Sequence, residues 1–149
     1  MDTDTELSHL RSSPWPVGAP AGLADRLQVA CELSPSSVLE RSRSVLGAVL
    51  ERSAGEWPDL AEWSAILPGW FVAACLDDAL VRNCILDKWS LRGWLHWLRP
   101  ENRRWFWWSA EEGGAELLTV TVLVPERPYL RGALDWLLIT AGAGGVELI

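Results

Sequence analysis

Cysteine and histidine are scarce in this chain: Cys31, Cys75 and Cys84 form an odd set with no CxxC spacing, and only His9 and His96 accompany them. That supply argues against a zinc site, and isolated cysteines in a reducing compartment behave as small buried hydrophobes rather than as nucleophiles. No apolar run approaches the length of a membrane span, and the first residues, MDTDTEL, are acidic where a secretory signal needs a basic start and an apolar stretch. A cytoplasmic protein without membrane contact is the expectation. Positive charge is also short. A formal net charge of -7 opposes generic binding to duplex DNA or anionic lipid, both of which need a field of the opposite sign. The glycines of AGAGG lack the GxGxxG or GxxxxGK spacing and do not lead from a strand into a helix, so no phosphate loop and no cofactor are expected.

What is present is ordinary globular material with an excess of tryptophan. A chain of 149 residues, 49% apolar and 22% charged, has the size and composition of one domain with a real core. Residues 1–22 mix Pro, Gly and Ser around SSPWPVGAPAG and read as a flexible arm, leaving 23–149 as a single α+β domain. Ser34 followed by Pro35 opens an amphipathic helix carrying Leu39, Leu46, Val49 and Leu50 on one face. A short helix is predicted in PDLAEWSAI, and another in LPGWFVAACLDDAL with Leu67, Trp70, Phe71, Ala74 and Cys75 at helical spacing. Ser90 then caps a helix with Leu91, Trp94, Leu95 and Leu98 inward, ended by Pro100.

Beyond PEN the period changes. RWFWWS and LLTVTVLV, separated by EEGG, read as a β-hairpin with Leu118, Val120, Val122 and Val124 on its buried face. A last helix is expected through Leu130, Ala133, Leu134, Leu137, Leu138 and Ala141, with Gly142 as a left-handed cap and VELI as a short edge strand. The expected fold is therefore α+β: amphipathic helices packed on a small antiparallel sheet centred on a tryptophan-rich hairpin.

The segments LPGWFVAACLDD, WSLRGWLHWLRPENRRWFWW and GALDWLLITAGA resemble a family of small tryptophan-rich proteins from high-GC Gram-positive bacteria, over roughly the last two thirds of the chain. The resemblance implies no activity.

Eleven tryptophans are more than a chain of this length hides easily, and Trp97, Trp105, Trp107, Trp108 and Trp136 lie beside or opposite stripes that already point inward. Arg92, His96 and Arg99 share one helix face, with Arg103 and Arg104 next in sequence, inside a local excess of positive charge that runs from Arg82 and Lys88 to Arg104. Arg92, His96, Trp97, Arg99, Arg103, Arg104, Trp105, Trp107 and Trp136 are thus the expected binding residues. The alternative is a solvated helix face whose arginines pair with the acidic bulk of the same chain. Neither a nucleophile with its base nor a carboxylate dyad is apparent, since Asp77 with Asp78 and Glu111 with Glu112 are adjacent pairs that point apart. The functional expectation is a non-enzymatic module that binds a partner protein, or a second copy of itself, through a Trp/Arg surface. An immunity- or antitoxin-like role would suit the acidity. The alternative is a module that stacks single-stranded nucleic acid, or a small aromatic or sugar ligand, on exposed tryptophans.

Overall fold

The computed structural model describes residues 1–12, 18–19, 22–75 and 89–149. Trp15, Cys84, Arg82, Lys88 and the Asp77–Asp78 pair lie outside the described residues. Among the described residues the order is α1 (Thr3–Arg11), β1 (Ala24–Cys31), α2 (Pro35–Ser53), α3 (Leu60–Ile66), α4 (Gly69–Ala74), α5 (Leu91–Leu98), β2 (Phe106–Glu112), β3 (Leu117–Leu123), α6 (Gly132–Thr140) and β4 (Ala143–Leu148). The fold is α+β, with one four-stranded antiparallel sheet in the order β2-β3-β1-β4. No helix among these residues is long and apolar enough to cross a membrane.

Alternation in β3 dictates which face of the sheet is buried. Leu118, Val120, Val122 and the following Val124 are wholly buried, while Thr119 and Thr121 between them are half-exposed. β1 repeats the pattern opposite, pairing Leu27 with Val120 and Val29 with Leu118, so four apolar side chains meet across one ladder. This corrects the expected arrangement in one respect. The sheet is centred on β3 and β1, with the β2–β3 hairpin at one side, while the strand that includes most of VELI is an edge strand as expected, paired with β1. β1 covers the β3 edge that the two-stranded hairpin would have left open.

The helices cover the buried face. In α2, Ser34 accepts from the Ser37 N–H at 3.2 Å and Pro35 occupies the first turn. Val38, Leu39, Val45, Leu46, Val49 and Leu50 are buried beneath it, each stabilising the fold by roughly 1.5–3 kcal/mol. The one hydroxyl in that stripe, Ser42, donates to the Val38 carbonyl at 2.8 Å and so enters the core without an unmet bond. α6 buries Ala133, Leu134, Trp136, Leu137 and Leu138, which is burial on more than one side. Its first residue is Gly132, so Leu130, expected on the inward stripe, precedes the helix and is exposed. Gly142 follows α6 at φ 121°, and its carbonyl accepts from the Glu32 and Leu33 N–H groups that open the turn into α2.

The N-terminal arm is the largest departure. Thr3–Arg11 is helical, capped by Asp2, whose carboxylate accepts from the Thr5 N–H at 2.7 Å. Leu10 is fully buried and Glu6 nearly so, because the helix packs on α2 and β2 and its one buried charge finds a partner there.

Candidate functional site

α5 separates two concave sites. Ser90 caps it, accepting from the Gly93 N–H at 3.0 Å, and Leu91, Trp94, Leu95 and Leu98 point into the core. Trp94 spends its indole N–H on the Ala133 carbonyl at 2.9 Å, tying α5 to α6. Anchoring of the inner stripe leaves Arg92, His96 and Arg99 on the opposite side, as their spacing implies.

On that outer side they meet residues that sequence reasoning did not connect with them. A groove of about 320 Å³ is lined by Arg92, His96 and Arg99 from α5 and its end, and by Trp57 and Trp63 from the segment that builds α3. Asp59 at its rim caps α3, accepting from the Glu62 N–H at 2.8 Å. The Trp57 and Trp63 rings pack with centroids 4.9 Å apart, and the Arg99 guanidinium lies 5.3 Å from the Trp57 ring centre. Trp63 is buried, yet its indole N–H meets no acceptor among the described residues. Asp59 lines the groove beside these basic groups, and Glu101 lies 3.7 Å from Arg99.

The remaining expected residues are divided by burial. Arg103, Trp105, Trp107 and Trp136 are all buried and cannot form the outer contact surface assigned to them. Trp107 points inward from β2. The register of β2 against β3 shifts between Trp107 and Ser109, and the bulge leaves Trp108 half-buried on a different side, where its carbonyl accepts from His9 Nδ1 at 3.0 Å and its ring lies 4.1 Å from the imidazole. Trp136 is enclosed because α6 is buried on more than one side. Arg104 is exposed but lines neither concave site.

Arg103 is buried by pairing. Its Nη1 and Nη2 donate to the two Glu6 oxygens at 2.7 Å each, Nη1 also donates to the Trp105 carbonyl at 2.8 Å, and Glu6 in turn accepts from the Trp107 N–H at 2.7 Å. This network fastens α1 to the start of β2. Trp97 and Trp105, by contrast, come together with Trp89 and Leu130 around a second pocket of about 170 Å³ on the other side of α5.

Elsewhere, Asp25 sits in a cleft with Arg127 and Tyr129. Burial alone would raise its carboxyl, but hydrogen bonds from Arg127 and from the Tyr129 hydroxyl, with the Arg127 charge, hold it below the usual carboxylate range. Burial, then the bond and charge of Asp25, push the Tyr129 phenol up to about 12. Burial raises the Cys31 and Cys75 thiols, which disfavours the thiolate a nucleophile needs.

A scan against protein-family models found no match, and searches of curated proteins and of solved structures returned no significant match.

Proposed function

We propose that this chain is a non-enzymatic interaction module, and that the groove between α3 and α5 receives a partner protein presenting acidic or carbonyl-rich side chains. The carrying observation is the groove's composition: two tryptophans, two arginines and a histidine gathered in a chain of net charge -7. Tryptophan and arginine are the residues most enriched where binding energy concentrates, and guanidinium and imidazole groups lining a groove suit carboxylate or carbonyl acceptors on a partner. Within roughly a Debye length, about 8 Å, local charge outweighs the distant net charge. An immunity- or antitoxin-like role against a basic partner would instead use the acidic remainder of the surface. The non-enzymatic reading draws support from the raised thiols and from His9, whose Nδ1 is engaged by the Trp108 carbonyl.

The test is capture from native lysate by the tagged protein and by its Trp57→Ala/Arg99→Glu variant, each with and without nuclease. A nuclease-resistant protein, bound at least about tenfold less by the variant, is expected if the groove is a hot spot. Equal capture by both would contradict it. Nucleic acid that vanishes with nuclease would favour the stacking alternative.

A further inference from the structure

The pocket on the inner side of α5 is built from parts that the groove does not use. Trp89 precedes the Ser90 cap, Trp97 lies on the last turn of α5, and Trp105 closes the link to β2; Leu130 completes the wall. Close approach at the base depends on glycine. A Cβ on Gly132 would lie 2.8 Å from Cζ2 of Trp89, so only a bare backbone at the start of α6 lets that indole lie against it. Ala133 follows as the next small lining residue.

Arg103 also lines this pocket. It is only 5% exposed, and three of its Nη hydrogens are used by Glu6 and the Trp105 carbonyl, but its Nε–H meets no acceptor among the described residues. A buried donor left without a partner is costly, which makes it an observation that points to a bound acceptor. Glu6 already matches the guanidinium charge. A carboxylate ligand would bring a second negative charge toward Glu6, and a cation would meet Arg103, so the acceptor should be neutral. Three indole walls favour a flat π-system in offset or edge contact. As for size, an engineered protein cavity of about 150 Å³ admits benzene, so about 170 Å³ suits one ring with a small substituent.

From these features we infer that the Trp89–Trp97–Trp105 pocket is a binding site for a small, neutral, single-ring aromatic or heteroaromatic molecule bearing a carbonyl acceptor, of the kind found in aromatic amides and pyrimidine bases. The rings are held between the indoles, and the carbonyl accepts from Arg103 Nε. The site is independent of the groove, which lies on the other side of α5.

Titration of the ¹⁵N-labelled wild-type protein with benzamide, benzoate and ethylbenzene tests this directly. Benzamide should shift the indole N–H resonances of Trp89, Trp97 and Trp105 and the Nε–H resonance of Arg103. It should bind about tenfold more tightly than ethylbenzene, which fills the same space without an acceptor. Benzoate should bind more weakly than benzamide. Trp97→Ala should lose at least about tenfold of benzamide affinity, because stacking is removed. If that variant fails to fold, the wild-type shifts decide. No shift up to the solubility limit of benzamide, shifts confined to other tryptophans, equal binding of ethylbenzene, or tightest binding of benzoate would each overturn the inference.

Discussion

Glu6→Ala leaves the Arg103 guanidinium buried without its carboxylate. Glu6 is 1% exposed and Arg103 5%, and the pair is joined by two hydrogen bonds of 2.7 Å. Removing one partner of such a pair costs about 3–5 kcal/mol, because an uncompensated charge remains out of water. The Trp107 N–H loses its acceptor too, a loss of about 1–3 kcal/mol taken alone. Both losses open onto one cavity that water can enter, so they do not add in full. We expect a total of about 3–5 kcal/mol, a large share of the roughly 5–15 kcal/mol that holds a domain folded. Urea unfolding followed by tryptophan fluorescence reads this as a fall of about 2 M in the midpoint for an ordinary slope. Glu6→Gln keeps an acceptor and should lose less. The double change Glu6→Leu with Arg103→Met should recover the part of the loss that comes from the uncompensated charge, while the Trp107 N–H and the Trp105 carbonyl stay without their side-chain partners. A loss below about 1 kcal/mol for Glu6→Ala, the size of an exposed ion pair, would refute the reasoning.

Two further outcomes follow from local geometry. Gly142→Ala places a Cβ at φ 121° and 2.7 Å from Leu33 Cγ, and should cost about 1–3 kcal/mol in thermal unfolding; an unchanged melting temperature would contradict the geometry of the α6–β4 turn. The chain has one tyrosine, so tyrosinate absorbance reports Tyr129 alone. With the phenol raised to about 12, its contribution to stability is intact below the ordinary value of about 10 and is lost as pH climbs through about 12. A titration midpoint near the ordinary value, or a Tyr129→Phe variant with the same alkaline loss of stability, would show that the bond to Asp25 does not act as described.

Elements whose cause is local were legible in the sequence. Ser34 with Pro35, and Ser90, announce their helices because a cap needs only the next three residues, and β3 shows its alternation over seven positions. β1 was not recognised, since Leu27 and Val29 supply a period of two over too short a span, and its identity as a strand comes from pairing with residues about ninety positions away. α1 is short and polar. Its order derives from Leu10 in the core and from Glu6 meeting Arg103, 97 residues on, which no local pattern encodes. The outward face of α5 could be read from spacing, whereas its companion Trp57 could not, because tertiary packing alone brings the two together. Which tryptophans of the aromatic strand are hidden depended on the bulge between Trp107 and Ser109, a feature without a residue signature here.

The most direct measurement is hydrogen–deuterium exchange of the captured complex against the free protein. We expect new protection over 57–63 and 91–99, the two sides of the groove. Protection confined instead to Ile139 and Leu148, exposed apolar residues of α6 and β4 outside the groove lining, would contradict the groove as its site.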